Sequence, residues 1–193
     1  ADLEIIKFCA EQGIRVFAGS EEDVLDRYYQ VAKLFNPDNV IRITADCPLH
    51  DADVIDCVIA KHISENNDYT SNTIKETFPD GLDCEVIKFS VLEKTWQEAK
   101  LFSEREHVTQ YIINNNFLKK GCVFNSVDRG VERWTLDTEK DYKFIQKIYD
   151  ELYMENPEFN SSHIYALLDK KPELRKINGD IVRNEGLLKS IVN

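Results

Sequence analysis

Residues 39–44 (NVIRIT) are a β-branched run with an amphipathic helical pattern on each side, and this exchange of period most limits what the chain can fold into. Before the run, Val24, Leu25, Tyr28, Val31, Ala32 and Phe35 fall on one helical face. Residues 20–23 (SEED) read as a capping box that opens this helix, and 36–38 (NPD) close it. After the run, a helix is predicted over 52–65, with Asp51 and Asp53 at its start, where carboxylates suit the helix dipole.

The same exchange recurs along the chain. Residues 3–11 read as the end of a helix with Gly13 as its stop, and 14–18 (IRVFA) as a short strand. An extended piece is predicted at 69–72, turn chemistry at 78–83 (FPDGLD) and a strand at 84–89. Residues 90–93 (SVLE) and 103–106 (SERE) read as two further capping boxes, each opening a helix. Strands are predicted at 122–127 and 132–136, and a last helix at 160–169. Between them, 138–141 (TEKD) cap a long helix with Tyr142, Ile145, Ile148, Tyr149 and Leu152 on one face. With no internal repeat, low-complexity tract or Gly/Ser linker, the alternation argues a single α/β domain over 1–193, its sheet covered by helices on both faces. Residues 172–193 are polar and are expected to wrap the surface as a C-terminal tail.

Composition removes several function classes. Asp plus Glu number 35 against 24 Lys plus Arg, a formal net charge of -11 spread along the chain. Without a basic stripe this is a poor binder of nucleic-acid backbones. No apolar run approaches the ~20 residues of a membrane helix, and the first residues show no secretory signal. Cys9, Cys47, Cys57, Cys84 and Cys122 are scattered without a C-x-x-C pair, which fits neither a zinc site nor a disulfide framework. The expected compartment is therefore a reducing cytoplasm. The four histidines show no metal-ligand spacing, and no Walker, Rossmann, nucleophile-elbow or zincin motif is present.

Two carboxylates stand out because each follows a predicted strand: Asp46 ends NVIRITAD and Asp137 ends RWTLD. In an α/β sheet that position is the ligand edge. Two carboxylates there, far apart in sequence, suit a magnesium-nucleotide site, since Mg²⁺ takes one or two carboxylates together with phosphate oxygens and water. Taken singly, each also reads as an ordinary turn former or helix cap. A second constellation, Asp80, Gly81, Asp83 and Glu85, puts three acids around a glycine before a strand, as a polar pocket or as a solvated turn. A third is the EREH run, where Arg105 could clamp an anion and His107 donate to one, or both could sit in local ion pairs at a helix start.

Several segments together resemble one family. VFAGSEEDVLDRYYQVAK, VIRITADCPLHD, SNTIKETFPDGLDCEV, SEREHVTQYI, RWTLDTEKDY and the terminal INGDIVRNEG are similar, in order and over nearly the whole chain, to the spore-coat polysaccharide biosynthesis protein F family. These are cytidylyltransferase-like proteins related to the enzymes that activate Kdo and sialic acid as CMP-sugars. The resemblance implies a Rossmann-like nucleotide-diphospho-sugar transferase fold, a three-layer α/β/α sandwich. It implies Asp46 and Asp137 as ligands of a Mg²⁺ cofactor, and the PDGLDCEV and EREH segments as lining of the sugar pocket. It also points to a homodimer. The family opens with a strand and a loop of the form Q-A-R-x-x-S-x-R-L-P-G-K that holds the triphosphate, and nothing like it stands in this sequence. The chain is thus expected to lack a first strand-helix-strand unit of at least ~30 residues, and activity is expected of a longer parent.

The implied function is a Mg²⁺-dependent cytidylyltransferase: a sugar hydroxyl attacks CTP and displaces pyrophosphate, with Arg42 and Arg105 helping to hold the triphosphate. Its partners would be small molecules, CTP and a sugar or sugar acid. Two alternatives are a glycosyltransferase that uses a finished nucleotide-sugar and a non-catalytic partner domain in polysaccharide assembly.

Overall fold

The computed structural model describes residues 3–181 and Arg183. Among these, four strands form one sheet, β1 (Asn39–Arg42), β2 (Tyr69–Ser71), β3 (Glu85–Lys88) and β4 (Lys120–Cys122), in the order β1-β3-β2-β4. The sheet is mixed. β3 runs antiparallel to both β1 and β2, while β2 and β4 are parallel. β1, β2 and β4 therefore point the same way, and their carboxyl ends share one rim with the amino end of β3. The register states this directly: Arg42 and Ser71 both face Glu85, and Ser71 also faces Cys122.

Helices cover both faces, as the alternation requires. β3 alternates its side chains between two clusters. Val86, with Cys84 before it, packs on Val58 of α3 (Ala52–Glu65). Ile87 points to the other face, against Leu25 of α2 (Val24–Phe35), Leu92 of α4 (Phe89–Glu98) and Ile112 of α6 (Gln110–Asn114). A third cluster joins Trp134 and Leu82 to α7 (Glu139–Leu152) and α8 (Ser161–Lys170). The remaining helices are α1 (Leu3–Glu11) and the five-residue α5 (Phe102–Glu106). No helix among the described residues is long and apolar enough to cross a membrane.

Helix ends follow local chemistry. Asp23 caps α2 by accepting from the Asp26 N–H at 2.8 Å, and Asn36 closes it in the left-handed conformation with φ 46°. Asp51 caps two helices: Oδ1 accepts from Asp53 at the start of α3 at 2.8 Å, and Oδ2 from Ser161 at the start of α8 at 2.9 Å. Three expected boxes differ: at 20–23 Ser20 Oγ accepts from the Asp23 N–H at 3.0 Å, but Asp23 itself is the cap of α2. α4 starts at Phe89 without a side-chain cap, so Ser90 is already helical. α5 starts at Phe102, so Ser103 is helical too. The contact that closes its first turn is instead Glu104 reaching back to the N–H of Leu101 at 3.1 Å.

Two predicted strands also do not form, and a third, predicted at 122–127, lies instead at Lys120–Cys122. Residues 14–18 are irregular, and Ile14, Val16 and Phe17 stay exposed. A strand needs a neighbour for its backbone groups, and no ladder partner lies beside this run among the described residues. Residues 132–136 are extended but make only the isolated bridge Asp80↔Arg133. Their N–H groups divide between two loops, with Trp134 donating to the Asp80 carbonyl at 2.6 Å and Leu136 to the Asp46 carbonyl at 2.7 Å. The expected tail at 172–193 lies partly outside the described residues. Its first part is a 3-10 helix, Pro172–Lys176, which seats Leu174 in the core.

Candidate functional site

A cleft of about 730 Å³ opens at the rim shared by the carboxyl ends of β1 and β2 and the amino end of β3. Arg42 is the last residue of β1, and Thr44, Asp46 and Cys47 follow on the next loop. Asp80 and Asp83 come from the turn before β3, and Glu85 is the first residue of β3. Arg133, Thr135, Asp137 and Thr138 line the opposite wall, on the segment that enters α7.

Asp46 and Asp137 meet through the backbone. The Asp46 carbonyl accepts from the Leu136 N–H at 2.7 Å and from the Thr135 hydroxyl at 3.1 Å, which draws the two loops together. Neither carboxylate follows an assigned strand directly, since β1 ends four residues earlier and 132–136 is no strand. What brings them to one rim is this loop-to-loop bonding. Asp46 is exposed, and the Asp137 side chain is 51% exposed with one oxygen held by Arg133 at 2.6 Å. Thr138, not Asp137, caps α7, accepting from the Asp141 N–H at 3.3 Å.

The turn at 80–85 is built on a close approach. Gly81 has φ +113°, and a Cβ there would come within 2.6 Å of the backbone of Trp134 and Thr135. Gly81 therefore shapes the wall and is not among the side chains that line the cleft. Burial raises the pKa of the Asp80 carboxyl, opposed by Arg183 and Arg133. Burial pushes Asp83 up to about 6, again against Arg183, whose Nη2 donates to it at 2.9 Å. Glu85 is buried, accepts from the Tyr69 hydroxyl at 2.5 Å and pairs with Arg42, which lies over the Tyr28 ring.

The EREH segment divides. His107 lines the cleft, 3.4 Å from Glu106. Arg105 does not. Its Nε and Nη2 bind Asp23 at 2.9 and 2.6 Å, and Nη1 binds the Trp96 carbonyl at 2.7 Å, so it ties α5 to the start of α2. Anion clamping by Arg105 in this cleft is corrected accordingly: the guanidinium is already committed elsewhere. Between His107 and Thr109 the chain makes a γ-turn, with Val108 at φ 61° and the Thr109 N–H bonded to the His107 carbonyl at 2.5 Å. A β-branched residue there costs of order 1–3 kcal/mol. Full burial of Val108 in the α2–α4–α6 cluster holds the turn, which presents both His107 and Thr109 to the cleft.

Sequence reasoning missed Arg133, Arg183 and the central role of Asp141. Asp141 is fully buried, and burial alone would raise its pKa. Hydrogen bonds from Arg133, Asn178, the Asp137 N–H and Thr138 overcome this and bring it down to about 2. The signals were present, an Arg opening RWTLD, an Asp closing DTEKD and an Arg in INGDIVRNEG, but their partners were not legible.

A family model described as cytidylyltransferase matches residues 3–165. The chain belongs to the cytidylyltransferase family. It is 37% identical over 185 residues to the uncharacterized protein MJ1063 of Methanocaldococcus jannaschii, covering 93% of this chain and 73% of that protein. It is 34% identical over 169 residues to the spore coat polysaccharide biosynthesis protein SpsF of Bacillus subtilis, covering 86% of this chain and 69% of that one. A solved cytidylyltransferase from Leptospira borgpetersenii superposes with a TM-score of 0.86 at 28% identity, over 95% of this chain and 76% of the other. The mixed α/β sheet and its helices are thus the fold of a cytidylyltransferase.

Asp46 and Asp137 are the cleft carboxylates that could hold a divalent cation. Both line the cleft, and among the described residues no cluster of three or more His, Cys, Asp or Glu forms a protein-only cage. One or two carboxylates completed by phosphate oxygens and water is the arrangement Mg²⁺ favours.

Proposed function

We propose that the protein transfers a cytidylyl group from CTP to a hydroxyl of a sugar or sugar acid, releasing pyrophosphate, in polysaccharide biosynthesis. The observation that carries this is one cleft, at the rim of the sheet, lined by both Asp46 and Asp137 and by the acidic turn at Asp80, Asp83 and Glu85. The cytidylyltransferase family and the likeness to a spore coat polysaccharide protein support the nucleotide and the sugar. In this reading the sugar oxygen bonds to the α-phosphorus, the bond from that phosphorus toward the β-phosphate breaks, and pyrophosphate leaves. Asp83, with its carboxyl near 6, is suited to take the hydroxyl proton at neutral pH. The turn and the Thr109 hydroxyl orient the sugar. Asp46 and Asp137 would hold Mg²⁺, which when bound polarises phosphoryl oxygens and offsets the triphosphate charge.

The cleft lining has six carboxylates against three arginines, so a triphosphate is repelled there unless cations accompany it. CTP turnover should therefore depend steeply on Mg²⁺. The test is pyrophosphate release by the full-length protein from CTP, over a panel of sugars and sugar acids, with the other nucleoside triphosphates as comparators. Release from CTP with one class of acceptor is the expected result. No release with any acceptor, or turnover of a finished nucleotide-sugar without CTP, would overturn it.

A further inference from the structure

Arg133 is the most heavily bonded side chain at the cleft, and its role goes beyond the two carboxylates of the proposed cation site. The side chain is 7% exposed. Nε and Nη2 grip the two oxygens of Asp141 at 2.9 and 3.0 Å. The second Nη2 proton goes to Asp137 Oδ2 at 2.6 Å, and Nη1 goes to Asp80 Oδ2 at 3.1 Å. Asp141 is itself pinned, by Asn178 at 2.9 Å and by the N–H and hydroxyl of Thr138 at 2.9 and 3.0 Å. The guanidinium is therefore anchored along one edge and presents the other edge to the cleft. A purely structural ion pair with Asp141 would leave that second edge with nothing to do.

We propose, on the basis of the reaction above, that Arg133 is a positioning residue that couples the two ends of the cleft. One rigid guanidinium holds the cation-binding carboxylate of Asp137 and the substrate-facing carboxylate of Asp80 in a single frame. It fixes Oδ2 of Asp137, while Oδ1 carries no hydrogen bond among the described residues and stays open to a cation. If Asp137 also held a cation, its Oδ2 would be a weaker acceptor for Arg133, and the guanidinium would bind Asp80 more strongly. The planar fork fixes the directions of all four bonds, whereas a lysine has three donors on a flexible stem and cannot grip both oxygens of Asp141 while it holds Asp137 and Asp80.

The test is Mn²⁺ affinity, by titration calorimetry with and without CTP, of the full-length protein, Arg133→Lys, Asp80→Asn and the double variant. Arg133→Lys should weaken Mn²⁺ binding by about 10-fold or more, the usual effect of losing a residue that orients a metal ligand. Leu168→Ala, a fully buried position in the α7–α8 cluster, controls for lost stability and should leave affinity unchanged. Asp80→Asn should weaken binding severalfold, and by much less in the Arg133→Lys background. Equal effects of Asp80→Asn in both backgrounds would mean simple through-space charge and overturn the proposal, as would wild-type affinity in Arg133→Lys. If Arg133→Lys does not fold, side-chain ¹⁵N resonances of Arg133 in the wild type decide instead. Mg²⁺ should shift them, and should not in Asp137→Asn; no shift in the wild type overturns the coupling. Absence of any Mn²⁺ binding to the wild type removes the cation site and the coupling together. Binding without coupling removes only the role of Arg133.

Discussion

The turn at 80–85 and the helix cap at 137–141 face each other across Arg133 and hold a half-buried carboxylate, Asp83, and a fully buried one, Asp141, on opposite terms. Asp83 sits in the turn with one guanidinium donor and is pushed up to about 6. Asp141 sits in the cap with donors on both oxygens and is brought down to about 2. Burial pushes both up; the carboxylates of Asp80 and Glu85 push Asp83 further the same way, whereas hydrogen bonds on both oxygens of Asp141 favour its charged form. The cap is a permanently ionised anchor. The turn keeps Asp83, whose carboxyl is pushed up to about 6, in the range that chemistry on a hydroxyl needs.

The sharpest break of this comparison is Asp141→Asn. An amide has one acceptor oxygen in place of two and no charge, so Arg133 would lose its buried bidentate counter-ion and keep only Asp80 and Asp137. Stability should fall by about 3–5 kcal/mol, read from urea denaturation midpoints. A variant as stable as wild type would mean that the cap is no anchor.

Next in size is the effect on chemistry at the exposed carboxylates. Asp46→Asn and Asp137→Asn should each lower Mg²⁺-dependent turnover on the order of 10²-fold or more, while thermal melts stay close to wild type. A destabilised protein with normal turnover would return both residues to the role of turn formers. Gly81→Ala comes third. The new Cβ has no room against the Trp134–Thr135 backbone, and φ +113° is strained for any side chain. A loss of about 1–3 kcal/mol is expected, with weakened sugar KM as the wall shifts.

The smallest effect sharpens the electrostatic contrast. Because the folded pKa of Asp83 lies above the unfolded value of 3.8, the native state binds the extra proton between about 4 and 6. Stability should therefore fall as pH rises through that window, by up to about 1.4 kcal/mol per pH unit, and Asp83→Asn should flatten the fall. For Asp141 the folded value of about 2 lies below 3.8, so its contribution is present above about pH 4 and lost as pH falls toward 2. Melting curves from pH 2 to 7 on the two variants should show opposite slopes, and parallel slopes would erase the distinction.

What was legible in the sequence is what neighbours in sequence decide. α3 spans 52–65 as its pattern predicts, because Asp51 caps its start and Asn66 closes its end in the left-handed conformation. The box at 138–141 is real, because Thr138 and Asp141 bond one another across three residues. The boxes at Ser90 and Ser103 misled because the helices begin one residue earlier, where packing of Phe89 and the reach of Glu104 set the start.

The sequence by itself determined the period of most helices and of the strands β1 and β3, and the helical layers on both faces of the sheet. Tertiary structure alone decided which charged groups meet there. Arg105 pairs with Asp23 across 82 positions, Arg133 with Asp80 across 53, and Arg183 with Asp83 across 100. Residues 14–18 and 132–136 have strand composition, yet neither joins the sheet, since a strand is completed only by a neighbour elsewhere in the chain. The physical reason is one of range. Helix caps and turns satisfy backbone groups within about four residues, whereas ion pairs and sheet ladders depend on which distant segments the folded topology brings within hydrogen-bond distance.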